Sequence, residues 1–427
     1  MGDGVISSSL LTRTAAERPG ASAAGPRRSL PSWAFVLGYT LAQIGGFVAF
    51  IDLLQVVIPI KAALIAPGQK TALLGAVTIL GAVAASGTNI LAGAASDRTH
   101  SRFGRRRPWM AVGLAGVVGA YAMIAWASNA IMLALGLIAF QIAFNIFYAP
   151  LGAIIADRVP DRHKGFVSAM MGLGFSAGTW ISSMLVGGLH QSLVLGLALT
   201  AAVLVALILP FLVTLDDRPI EPRPEPILTA LKPGMTHDLV IAVISRLGVF
   251  TGQIVILNFM LFNLRDQQII RPWLPTDPEQ ALGQLMQVSA YAHAVVSLAS
   301  GRLSDLWGHR RPFLVGAALT MAGVIVAAAF CHDWRGMVGL YVLLGAAMGC
   351  YRAIDGALMV QVLPSPRDAG RDLGWVNLSN TAPQIIASTL ALVVVSLLHG
   401  SHATLFVCGA AFTAVGGLLA LFIRGVK

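Results

Sequence analysis

The sequence predicts an all-α integral membrane protein, with twelve transmembrane helices in two pseudo-symmetric six-helix bundles. Three observations lead there. Of 427 residues, 56% are hydrophobic and only 11% charged, where soluble domains carry about 25% charged residues. The apolar residues fall into twelve runs, each close to the roughly 20 residues that a bilayer core about 30 Å thick demands. One loop sequence also recurs at the same place in each half of the chain.

Residues 1–32 are rich in Ser, Ala, Gly, Pro and Arg, and their VISSSLL is too short and polar for a signal-peptide core. They read as a disordered cytoplasmic tail. The N-terminal six-helix bundle, 33–214, follows with runs at 33–58, 71–95, 109–128, 130–156, 165–188 and 192–214. Residues 215–237, which contain DDRPIEPRPEP, are polar and proline-rich and read as a cytoplasmic linker. The C-terminal bundle, 238–427, holds runs at 238–263, 281–303, 313–331, 337–363, 373–398 and 402–424.

The formal charge of +10 raises the question of a nucleic-acid surface, and its distribution answers it. Of the 29 Lys and Arg residues, 22 fall in the tail, in loops on the tail's side and at the C-terminus. Five fall on the other side, and Arg246 and Arg352 lie deep within runs. By the positive-inside bias both termini are cytoplasmic, and the basic loops face anionic lipid rather than nucleic acid. The expected location is the plasma membrane. The three cysteines include no close pair, which excludes a disulfide framework and a Cys-rich zinc site. No Gly-x-Ser-x-Gly elbow and no Walker-type loop is present, so the chain reads as neither an enzyme nor an ATP-driven pump, and no cofactor is expected.

The recurring loop is GAASDRTHSRFGRRRPWM after the second run and GRLSDLWGHRRPFL after the eighth. Gly93, Ser96 and Asp97 match Gly301, Ser304 and Asp305; past a four-residue insertion, Gly104, Arg106, Arg107 and Pro108 match Gly308, Arg310, Arg311 and Pro312. GAIIADRVP (152–160) then aligns without gaps to GALMVQVLP (356–364). Two related six-helix halves resemble the major facilitator transporters, whose halves are related by an axis along the membrane normal.

Within that fold, SDRTHSRFGRRRP resembles the corresponding loop of sucrose transporters in the glycoside–pentoside–hexuronide:cation symporter family. GRDLGWVNLSNTAPQ (370–384) resembles a run of that family through Leu373, Gly374, Asn377, Leu378, Pro383 and Gln384. The resemblance implies a secondary transporter taking up a sugar or glycoside with a cation by alternating access. Melibiose-type members hold sodium with acidic residues in helices 1 and 2. Here helix 1 has Asp52 but helix 2 only Asn89, which favours H+ over Na+. A monomer is expected. Two alternatives are an exporter of drugs or metabolites, which the missing Gly-Pro element beside Gly174 and Gly178 disfavours, and a non-transporting assembly factor, which needs no polar cavity.

Charges within apolar runs are costly, about 2.5–3.5 kcal/mol each on insertion scales, so each is a candidate. Asp355, Arg246 and Arg352 form one coupling group, with Arg352 one helical turn from Asp355; Asp52 and His293 are further coupling candidates. Gln141, Asn145, Gln253, Asn258, Asn377, Asn380 and Gln384 are candidates for hydrogen-bonding a polyhydroxy substrate, and Trp180 for stacking on it. Polar side chains also join membrane helices to one another, so interhelix bonding competes at each. The gating candidates are Gly93, Asp97, Arg98, Arg102, Gly104, Arg105, Arg106 and Arg107 in the first loop, and Gly301, Asp305, Gly308, Arg310 and Arg311 in the second. Asp97 at the negative end of its helix needs nearby cations, Gly104 permits a tight turn and Pro108 starts the next helix. A bridge from this loop to the other half, stabilising the outward-facing state, is expected.

Overall fold

A computed structural model describes residues 33–99, 101–159, 174–185, 192–215, 217, 237–266, 277–307, 309–362 and 369–424. The tail and most of the linker lie outside them. The described residues form α1 (Trp33–Ile65), α2 (Lys70–Arg98), α3 (Arg107–Ala125), α4 (Ala130–Arg158), α5 (174–185) and α6 (Leu193–Thr214). Beyond the linker come α7 (His237–Asp266), α8 (Pro278–Trp307), α9 (Arg311–Phe330), α10 (Trp334–Val362), α11 (Ala369–Ala391, continued by a π-turn Leu392–Leu397) and α12 (His402–Leu419).

Ten of these are long and apolar enough to cross a membrane. The other two are α5, described over a short stretch, and α8. The latter carries Gln280, Gln284, Gln287, Ser289, His293, Ser297 and Ser300 along its length, which lowers its hydropathy. Where both ends are described, helix boundaries fall within a few residues of the apolar runs, except in α1, which runs on to Ile65. Pro59 lacks an N–H and crowds the preceding turn. The π-turn at Leu53–Val57 sits just ahead of it and lets the helix continue. As a result Lys61 lies on a helix and is buried. Its Nζ donates to the carbonyls of Ala125 (2.7 Å) and Ala127 (3.0 Å), capping the negative end of α3.

Helix contacts repeat at an interval of six. The pairs α1–α6, α2–α4, α3–α4 and α3–α6 recur as α7–α12, α8–α10, α9–α10 and α9–α12. Among the described residues, two seams stand out where helices before the linker meet those after it. Along one, α2 meets α11, with Ser86 Oγ donating to Thr381 Oγ1 (3.1 Å). Along the other, α5 meets α8: Ser176 Oγ lies 2.7 Å from His293 Nδ1, and Trp180 Nε1 donates to Tyr291 Oη (2.7 Å). Inside, Tyr121, Phe140 and Phe144 stack in turn on α3 and α4, with Phe147 tilted against Phe144. Outside, large apolar residues such as Leu91, Ile131, Val295 and Leu398 stay exposed, as a lipid-facing surface requires.

Candidate functional site

Three charged side chains gather in the interior on α7 and α10. Arg246 Nε lies 3.3 Å from Asp355 Oδ2, with only 12% and 5% of the two side chains exposed. Arg246 Nη2 also donates to Asn380 Oδ1 on α11 (2.8 Å). Arg352, one turn before Asp355, sets its guanidinium 4.6 Å from the ring centre of Phe175 and 5.1 Å from that of Phe250; Arg246 lies 5.0 Å from Phe250. Phe250 thus serves two guanidinium groups at once. A buried pair loses solvation and recovers it only with good partners. Cation–π contact supplies about 0.5–2 kcal/mol toward that. At about 1.5 Å per residue, Arg246 is about 14 Å into α7 from its start. Asp355 is about 10 Å from the end of α10, and Asn380 is exposed. The group therefore lies on the side of the molecule where α7 begins and α10 ends.

Asp52 is a second, separate carboxylate, fully buried where α1 enters its π-turn. Thr200 Oγ1 on α6 donates to its Oδ2 (2.7 Å), while Oδ1 is buried without a hydrogen bond. Because α1 extends to Ile65, Asp52 stands about 20 Å from that end, deeper than the apolar run alone implies. His293 on α8 is buried. Its Nδ1 pairs with Ser176, and its Nε2 has no hydrogen bond. It lines a small cavity of about 20 Å³ with Gln55, Phe175, Thr179 and Tyr341. Among the described residues no group of His, Cys, Asp or Glu gathers to hold a metal ion.

Among the substrate-binding candidates whose side chains are described, Asn380 is the one bonded to the charged group. Gln141 and Asn145 are buried on α4. Asn89 Nδ2 donates to Asn145 Oδ1 (2.9 Å), whose amide donates to Gln141 O (2.8 Å), leaving both side-chain amide atoms of Gln141 unpaired. Gln253 and Asn258 are buried on α7 and Gln384 on α11. The side chain of Asn377 lies outside the described residues. Trp180, 38% exposed, is engaged with Tyr291 on the α5–α8 seam and is not among the residues lining the small cavity.

Among the described residues, the basic loop is held through Arg106 and Arg107. Arg106, its side chain 5% exposed, binds Asp97 Oδ1 (2.6 Å) and Ser96 Oγ (2.8 Å). Asp217, just past α6, accepts from the backbone N–H of Arg106 and of Arg107 (2.8 Å), so a carboxylate caps the positive end of α3. Gly104 has φ +101°, and a side chain there would strike the backbone of Asp217. Arg102 lies over Phe103 within the loop, and Arg98 and Arg105 also have interaction partners. Gly93 and Gly301 face open space. Arg310 caps α9, and Arg311 Nη2 donates to the Arg424 carbonyl (2.9 Å). Gly308 and the side chain of Asp305 lie outside the described residues. The bridges seen at Asp97 and Arg106 join residues of the first half only.

A clasp between halves is found at the opposite end of the molecule, at residues the sequence did not single out. Lys70 Nζ on α2 binds Asp266 Oδ1 on α7 (2.6 Å). Asp266 Oδ2 binds His402 Nδ1 on α12 (2.7 Å), and His402 Nε2 meets Thr71 Oγ1 (3.0 Å). Beside it opens a hollow of about 870 Å³, lined by Gln69, Asn263, Ser396 and Ser401 among others. Each clasp residue stands at a helix end, so neither hydropathy nor spacing marks it.

No curated protein sequence matches the chain. Among solved structures it resembles a mutant of the nucleoside transporter NupG, with a TM-score of 0.68 at 16% identity, over 91% of this chain and 99% of that one. The sequence profile of the Major Facilitator Superfamily matches residues 35–279 and 267–427. The chain therefore belongs to the Major Facilitator Superfamily and is a multi-pass secondary transporter, not an enzyme.

Proposed function

We propose that the protein takes up a sugar or glycoside with a proton, by alternating access of two pseudo-symmetric six-helix bundles, 33–214 and 238–427. In this reading it resides in the plasma membrane with both termini cytoplasmic. The observation that carries the reading is the Arg246–Asp355 pair, buried within two membrane-spanning helices. Ionisable groups at such depth mark ion or proton pathways in membrane proteins. A carboxylate beside a guanidinium has two low-cost states, an ion pair and a protonated acid with the guanidinium released to another partner. Asn380 beside Arg246, and the buried amides of Gln141, Asn145, Gln253 and Gln384, supply hydrogen-bonding groups suited to hydroxyls. The loop and α11 motifs that resemble the glycoside–pentoside–hexuronide:cation symporters support the sugar class and that branch.

The test is uptake by the purified protein in proteoliposomes, across a sugar panel, with imposed proton or sodium gradients. Accumulation of one sugar class driven by a proton gradient is expected. Uptake driven only by sodium, or no sugar-dependent proton flux, would overturn the coupling.

A further inference from the structure

A small cavity beside the charged group holds polar atoms that proton coupling leaves unused, and its assignment rests on the sugar transport proposed above. The cavity, about 20 Å³, draws its walls from α1, α5, α7, α8 and α10, helices of both halves. Phe175 links it to the charged group. The ring centre of Phe175 lies 4.6 Å from the Arg352 guanidinium and 5.1 Å from the ring centre of His293. Two residues on the wall, His293 and Tyr341, are 2% and 1% exposed. Their Nε2 and Oη have no hydrogen bond among the described residues. Close helix packing holds both in place. Gly349 stands against the His293 carbonyl and Gly345 against that of Ser289, and Tyr341, one turn before Gly345, shares that face of α10.

The two atoms narrow the chemistry of what they meet. Ser176 takes Nδ1 of His293, and Nε2 is then a donor in one tautomer and an acceptor in the other. A phenol oxygen likewise donates and accepts. A carbonyl answers only a donor and an ammonium only an acceptor, whereas a hydroxyl answers either. Elsewhere the wall is largely apolar, with Phe175, Leu257, Met286 and Met348, and suits the C–H faces of a sugar ring. The volume exceeds the roughly 10–15 Å³ that a water-sized group needs and falls far short of a whole ring. In this state the cavity therefore fits a single hydroxyl-sized group, and the ring enters only as the halves part.

We propose that His293 Nε2 and Tyr341 Oη each receive a hydroxyl of the substrate, so that these two residues set which hydroxyls the carrier demands. In this assignment His293 selects the substrate rather than relaying a proton. Bound water has the same hydrogen-bonding chemistry, and the experiment separates it from substrate.

The experiment uses the full chain in proteoliposomes. The probes are methyl glucoside, methyl galactoside and methyl xyloside, with the derivatives of each that lack one hydroxyl. For the best-carried parent, loss of a hydroxyl that meets either residue is expected to lower kcat/KM about tenfold or more, because a buried polar atom is then left unpaired. In Tyr341→Phe the parent should fall to the level of one such derivative, while that derivative itself changes by less than about twofold. His293→Leu should give the same pattern for a different hydroxyl, and His293→Gln should restore part of the parent's advantage. Tyr341→Phe removes only an oxygen without a hydrogen bond among the described residues, so the comparison stands even if the His293 variants fail to fold. A merely structural role would lower parent and derivatives alike. That result, with the parent still carried, would show that these atoms meet water only and would overturn the inference while sugar transport stands. Uptake of none of the parents would overturn the sugar reading and the inference together.

Discussion

Asp355 and Asp97 are both carboxylates beside arginine, yet their surroundings set them apart. Asp355 is buried at a helix crossing, whereas the Asp97 side chain is 55% exposed at a helix end. Under the proposed mechanism Asp355→Asn removes the protonatable group but keeps the shape. Proton-driven accumulation is expected to fall by more than tenfold, while exchange of labelled for unlabelled substrate across the bilayer continues. Measured side by side in the same vesicles, retention of full accumulation would remove Asp355 from the coupling step. Asp97→Asn is expected to act more mildly. An exposed ion pair contributes at most about 1 kcal/mol, but Arg106 also anchors Ser96 and the start of α3. Uptake should drop severalfold at equal expression with membrane insertion intact, as read by transport per molecule of inserted protein.

At the scale of elements, the packing of α8 on α10 depends on two glycines. A side chain at Gly345 would strike the Ser289 carbonyl, and one at Gly349 would come within 2.5 Å of the His293 carbonyl. Both obstacles are backbone, which cannot turn aside as a flexible side chain does. Gly349→Ala is therefore expected to destabilise the protein by about 1–3 kcal/mol, the range for overpacking, and to displace His293 from Ser176. Thermal unfolding in detergent measures the first effect. The course of α1 shows the same dependence on local chemistry: Pro59 and the π-turn before it carry the helix past Asp52 to Lys61. Apolar periodicity found the helix but not its length, because Lys61 is polar in the sequence and capped only once α3 is beside it.

For the whole molecule, the clasp of Lys70, Asp266, His402 and Thr71 ties α2 to α7 and α12 at one end, while at the other end Arg106 binds Asp97 of its own half. In an alternating-access cycle this arrangement belongs to the state closed at the clasp end. Lys70→Ala with Asp266→Asn is expected to shift the population toward opening there. A cysteine placed at Thr179, in a background lacking Cys331, Cys350 and Cys408, should then react severalfold faster with a membrane-impermeant maleimide added from the clasp side. An unchanged rate would show that the clasp does not hold that end shut. The same reagents test orientation: a cysteine at Ser401 should label in intact cells and one at Arg105 only in inside-out vesicles.

The sequence by itself determined the helices, their number to within the described residues, the loop repeat and the charges that cannot lie idle in an apolar run. These are local or periodic properties, written in consecutive residues, and hydropathy reads them directly. It also put Arg246, Arg352 and Asp355 in one group, because helix rise gives depth without knowledge of neighbours. Their similar depths already suggested that Arg246 and Asp355 could pair, and the tertiary structure brought them to 3.3 Å. It gave Asp355 to Arg246 and left Arg352 to Phe175 and Phe250, aromatic residues unremarkable in a chain with 18 phenylalanines. It also brought Lys70 and Thr71 on α2 to Asp266 and His402, partners more than 190 positions away in the chain. Such pairings depend on where helices cross. That is set by packing over the whole bundle, through close approaches such as Gly349 to His293, and no stretch of consecutive residues encodes it.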